Sequence, residues 1–93
     1  MTVGDTAVKV DRDGGAVWFG PIDPEALTAK LCSVLDASAG EPETLVWVRR
    51  IDVASPEGTF PLFHDEDGSS HLELHHLDEA VRQRIIAMLS AAF

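Results

Sequence analysis

Apolar and polar residues alternate through AVKVDRDGGAVWFG, positions 7–20, in two short runs that flank Asp13-Gly14-Gly15. A period of two marks a half-buried strand, and glycine supplies the positive φ that a tight turn needs, so this stretch predicts a β-hairpin. With a two-residue turn at Asp13-Gly14, Val10 faces Val17 and Val8 faces Phe19. Those four side chains then share one sheet face, and Lys9, Asp11 and Trp18 share the other.

The period changes in GPIDPEALTAKLCSVLDASAG, positions 20–40. Leu27, Leu31, Val34 and Leu35 fall on one helical stripe, with Asp23 placed to cap, Pro24 at the first helical position and Gly40 just past the expected end. TLVWVRRIDV, 44–53, begins as a continuous apolar run and then alternates, which predicts a strand covered on both sides in its first half. Arg49 and Arg50 point to opposite faces of such a strand, and an inward arginine would need a carboxylate such as Asp52 or Glu73. Ser55-Pro56-Glu57-Gly58 reads as a β-turn, followed by a returning strand from Thr59 to His64.

Asp67-Gly68 predicts the next hairpin, with His64 opposite His71, Leu62 opposite Glu73 and Phe60 opposite His75. In that register Phe60 and Leu62 share a face with the histidines, whereas Pro61, Phe63, Leu72 and Leu74 share the other. LDEAVRQRIIAMLSAAF, 77–93, closes the chain as a helix with Asp78 at its N-cap, an apolar stripe of Val81, Ile85, Met88, Leu89 and Ala92, and Arg82 and Arg84 in solvent.

The expected fold is a single α+β domain over 1–93: two layers, a mainly antiparallel five-stranded sheet with two helices on one face, in the order ββαβββα. Five strands span roughly 24 Å at about 4.8 Å each, and two helices roof only one side of that width. The other side must then present aromatic and apolar side chains, the property of an interaction surface. Trp18, Phe60, Leu62 and His75 are the candidate partner-binding residues. The expected function is a protein-interaction module of adaptor, chaperone-like, immunity or antitoxin type, docking a partner protein or its own copy to form a homodimer. Trp47 and Trp18 are each large enough to serve as core packing or as a binding anchor.

Charge sharpens this picture. Sixteen acidic residues against seven Lys and Arg give a net charge of −9, spread from Asp5 to Glu79 rather than gathered in a tail. A phosphate backbone calls for a basic stripe, so nucleic acid is not an expected partner; an acidic mimic of nucleic acid that fills a basic groove is a further reading. Cys32 is the only cysteine, which excludes an intrachain disulfide and suits a reducing compartment, and its place among apolar helix positions reads as a small buried hydrophobe. The opening residues lack the pattern of a signal peptide, and no stretch reaches 18 apolar residues, so the expectation is a cytoplasmic protein without a membrane partner.

All four histidines fall within PLFHDEDGSSHLELHH, 61–76. In the expected register His64, His71 and Glu73 share a face, and imidazole with carboxylate donors would suit zinc or another divalent transition metal, giving a metal-binding or hydrolytic alternative. His71 and His75 lie four residues apart on one strand, too far to meet at one ion. Asp65-Glu66-Asp67-Gly68 departs from a calcium loop because its glycine follows too early and His76 stands where glutamate is required. Nothing in the chain matches a nucleophile elbow, a phosphate-cradling loop or a dinucleotide fingerprint, so no catalytic residues and no cofactor are expected.

Overall fold

Residues 8–20, 22–66 and 68–93 are described by a computed structural model. The first hairpin joins β1 (Val8–Val10) to β2 (Ala16–Phe19), with Val10 opposite Val17 and Val8 opposite Phe19 as the alternation predicts. Its loop is a turn in which the Gly14 N–H donates to Asp11 O at 2.9 Å and Gly14 takes φ +71°.

The helix α1 (Pro24–Leu35) starts where expected, with Asp23 Oδ2 accepting from the Ala26 N–H at 3.0 Å. It ends four residues before Gly40, at Asp36, whose φ of 52° lies in the left-handed region that aspartate tolerates. The reason is downstream. Ser38–Ala39 (β3) and Glu43–Thr44 (β4) both leave the helix register to pair with β5 (Val48–Ser55), and the Gly40 N–H donates to Asp52 O at 2.8 Å.

β5 returns through Pro56-Glu57 into β6 (Gly58–Asp65), with Ser55 opposite Gly58, then β7 (Ser70–Glu73) and α2 (Glu79–Ala92) complete the chain. All strand pairs are antiparallel, in the sheet order β1-β2-β7-β6-β5-β3, with β4 also on β5. The architecture is α+β and the expected order of ββαβββα fits, but among the described residues the sheet has seven strands rather than five because β3 and β4 are two-residue pieces that an apolar period cannot register.

The core has one side. Val17 and Phe19 from β2, Val53 from β5, Phe60 and Leu62 from β6, and Leu72 from β7 are buried against Leu27, Leu31 and Leu35 of α1 and Ile85 and Leu89 of α2. The strand residues alternate with these onto the opposite face, so both helices lie on the same side of the sheet. No helix among the described residues is long and apolar enough to cross a membrane.

Two surface expectations are corrected. Arg82 is half-buried, donating to Leu77 O at 2.7 Å, whereas Arg84 is exposed as expected and donates to Glu57 Oε1 at 2.7 Å. The apolar half of the predicted strand 44–53 is not covered on both sides: Leu45 to Trp47 form the exposed tip of the β4–β5 hairpin, where the Leu45 N–H donates to Val48 O at 2.7 Å. Trp47 is accordingly 70% exposed instead of forming core.

Candidate functional site

The register of the last hairpin decides which side chains reach the helix-free face. The Asp65 N–H donates to Ser69 O at 2.9 Å and the Gly68 N–H to Asp65 O at 3.1 Å, with Gly68 at φ +94°. Asp67, half of the expected two-residue turn, lies outside the described residues. These bonds close a three-residue loop that ends on a left-handed glycine, and the pairing shifts by one: Leu62 faces Leu72, Phe63 faces His71 and His64 faces Ser70. A shift of one residue exchanges the faces of every side chain on one strand relative to the other.

Three corrections follow. His64 is buried on the helix side and His71 stands on the other face, so His64, His71 and Glu73 do not form one ligand set; among the described residues no three His, Cys, Asp or Glu side chains are grouped as a metal ion requires. Phe60 and Leu62, expected on the free face, are 1% and 0% exposed in the core, because the face they share with His64 is the one the helices cover. His75 lies beyond the end of β7 rather than opposite Phe60.

Trp18 does stand on the helix-free face, where the cross-strand partners Trp18–His71 and His71–Phe63 set three rings in a row. The His71 imidazole is stacked between the other two, 4.3 Å from the Trp18 ring and 5.1 Å from the Phe63 ring. Arg50 continues the row next to Phe63 and Lys9 next to Trp18. The aromatic residues are half-buried and stack on one another, and among the described residues no helix lies over them. Trp18 Nε1–H donates to Asp11 Oδ1 at 3.2 Å, which fixes the indole at one end of the row. At the other end Arg50, on the helix-free face rather than directed inward, pairs with Asp52 at 3.1 Å on the surface.

Below the rings, Glu73 bridges two histidines, with Oε1 3.4 Å from His71 Nε2 and Oε2 2.7 Å from His75 Nδ1. Glu73 holds the His75 imidazole above the usual histidine range, by a hydrogen bond and by its charge, with Asp13 3.5 Å from His75 Nε2 adding to the effect. The Asp13 carboxyl is held low, chiefly by the Gly15 N–H it accepts from at 2.9 Å. The His75 ring occupies the space over Gly15, so a side chain added there would have to push the exposed imidazole aside. His71 Nδ1 is buried without a hydrogen-bond partner among the described residues.

No known protein family, curated protein or solved structure matches this chain. The functional reading therefore rests on these residues.

On the helix side, His64 Nδ1 lies 2.7 Å from Ser70 Oγ, and both residues are buried. Burial holds this imidazole below the usual range, with the nearby Arg49 guanidinium adding to the effect and Asp23 opposing it. A buried Ser–His contact of this kind is packing rather than a nucleophile and its base, because Ser70 is 1% exposed and no substrate atom can reach it.

Residue periodicity missed two features. The row Trp18–His71–Phe63 depends on the hairpin register, and Glu66-Asp67-Gly68 carried its signal: an acidic turn followed by glycine fits a three-residue loop as well as a two-residue one. The apolar tip Leu45–Trp47 is bracketed by the polar pairs Glu43-Thr44 and Arg49-Arg50, a pattern that suits a hairpin whose turn is apolar.

Proposed function

We propose that this chain is a protein-interaction module that docks a partner protein, or a second copy of itself, through the helix-free face of its sheet. The observation that carries the reading is the aromatic row Trp18–His71–Phe63 on a face to which neither helix contributes. Stacked rings with a charged rim of Lys9, Arg50, Asp52 and Glu73 resemble the centre and border of a protein–protein contact, where aromatic side chains are enriched and polar groups surround them. Trp18 keeps its place among the partner-binding residues and His75 joins the border through Glu73, while Phe63 and His71 take the positions expected of Phe60 and Leu62.

Adaptor, chaperone-like, immunity and antitoxin proteins all work by such docking. A single cysteine, half-buried and with its thiol pKa pushed up by burial, suits work in the reducing cytoplasm.

The test is co-purification of the full chain from its native cell, compared between Phe63→Asp and Ala87→Asp, the second on the exposed side of α2. Both variants should melt cooperatively, Ala87→Asp near the parent temperature and Phe63→Asp several degrees below it. Loss of the associated chain with Phe63→Asp alone supports the reading; retention of the same associated chain by both variants refutes it.

A further inference from the structure

The hairpin tip lies beyond the aromatic row. Val46 is 80% exposed, Trp47 70% and Leu45 40%, so three consecutive apolar residues are held in water by a well-formed turn. Folding gains little from side chains that stay solvated, and clustered apolar exposure of this kind is the mark of a contact surface.

The tip borders an open cleft of about 250 Å³. Asp65 and Glu66 line it together with Val46 and Trp47, and so does His64. His64 is only 6% exposed, its Nδ1 is engaged with Ser70, and its Nε2 is buried with no hydrogen-bond partner among the described residues. A buried nitrogen left in this state is a group that an incoming ligand can satisfy at a gain. Arg49 is the one Lys or Arg on the lining among the described residues, against the two carboxylates, and the net charge of −9 sets the sign of the field around the mouth.

We propose that this cleft binds an arginine or lysine side chain from a basic segment of a partner protein. The cation lies over the Trp47 indole, the ring type that attracts a cation best, with Asp65 and Glu66 beside its head. His64 Nε2 accepts from the same head when Nδ1–H is donated to Ser70, and an apolar neighbour in the segment covers Val46. Acidic segments and anionic lipid surfaces are repelled by the same field that draws this one. The inference shares with the sheet-face reading only the premise that the chain is a binding module, and it concerns a separate surface.

The experiment is a titration of the isotope-labelled full chain, in 0.15 M salt, with an octapeptide of alternating arginine and leucine and with glutamate-for-arginine and glutamine-for-arginine counterparts. The arginine peptide is expected to shift the amides of residues 44–48 and 64–66 and the Trp47 indole N–H. Affinity should fall about tenfold in Trp47→Ala and in the Asp65→Asn, Glu66→Gln double variant. Phe63→Asp should bind the peptide unchanged, which separates this outcome from the fate of the sheet-face reading. The proposal is overturned if shifts spread over the other acidic surfaces and survive Trp47→Ala. It is also overturned if the glutamate peptide binds equally well, or if Trp47 inserts into zwitterionic lipid vesicles while the arginine peptide does not bind.

Discussion

Phe60 and Phe63 stand three residues apart on β6, and they serve opposite faces of the sheet. Phe60 is 1% exposed among core residues that include Leu27, Leu31 and Leu62, whereas Phe63 is half-buried against a single imidazole on the side without helices. The histidines divide in the same way. His64 lies under the helices with a buried serine for partner, and His71 lies between two rings on the free face with Glu73 at its edge. One strand alternation thus gives the covered face its stability and the free face its aromatic row. Side chains of the same type acquire different roles from the layer that does or does not lie above them.

The comparison breaks most readily at Phe60. Phe60→Ala should cost about 3–5 kcal/mol in urea denaturation, the usual range for a fully buried phenylalanine, and Phe63→Ala about 1 kcal/mol, near the value of one aromatic contact. Equal losses would mean that both faces are core and that no free face exists.

Acid should separate the two faces next. Burial lowers the folded-state pKa of His64, so its contribution is full above the unfolded value of about 6.5 and is lost as pH falls through the lower folded value. His75 has the opposite sign: Glu73 raises its folded-state pKa, so its contribution is full below about 6.5 and is lost as pH rises through the folded value. Melting curves between pH 7 and pH 5 should show His64→Gln losing less stability on acidification than the parent chain, and His75→Gln losing more. The same direction for both variants would contradict the assignment of the two rings to these environments.

A smaller effect is expected at the border of the free face. Gly15→Ala should displace the exposed His75 ring and break its contact with Glu73, which returns the His75 titration, followed by NMR, toward 6.5 with little change in melting temperature. Smallest of all is Trp47→Ala, expected to change folding stability by less than about 0.5 kcal/mol because the indole is solvated. A large loss there would place the tip in the core after all.

Much of this architecture was legible in the alternation of residues. The first hairpin, with Val8 on Phe19 and Val10 on Val17, follows from a period of two around glycine, and the α1 stripe Leu27, Leu31, Leu35 from a period near four. Both rest on contacts close in sequence. The helix end was less legible, because Asp36 closes α1 under the pull of β3 pairing with β5, a contact from Ser38 to Ala54 that no local pattern records. The candidate site depends on a register, and a single residue of loop length moves Phe60, Leu62 and His64 under the helices and brings Phe63 to the free face beside His71, which lies where the alternation places it. Trp18 stands on its expected face because the first hairpin keeps the register that the alternation predicts. Composition cannot tell a buried apolar run from an exposed tip, which is why Leu45–Trp47 read as core.

The central claim is that the helix-free face meets another chain. It is tested most directly by placing a photo-reactive phenylalanine analogue at position 63 or at position 87, irradiating in the native cell, and resolving the products by mass. The account predicts a covalent adduct, to another protein or to a second copy, from position 63 and none from position 87. An adduct from position 87 alone, or none from either position, would contradict it.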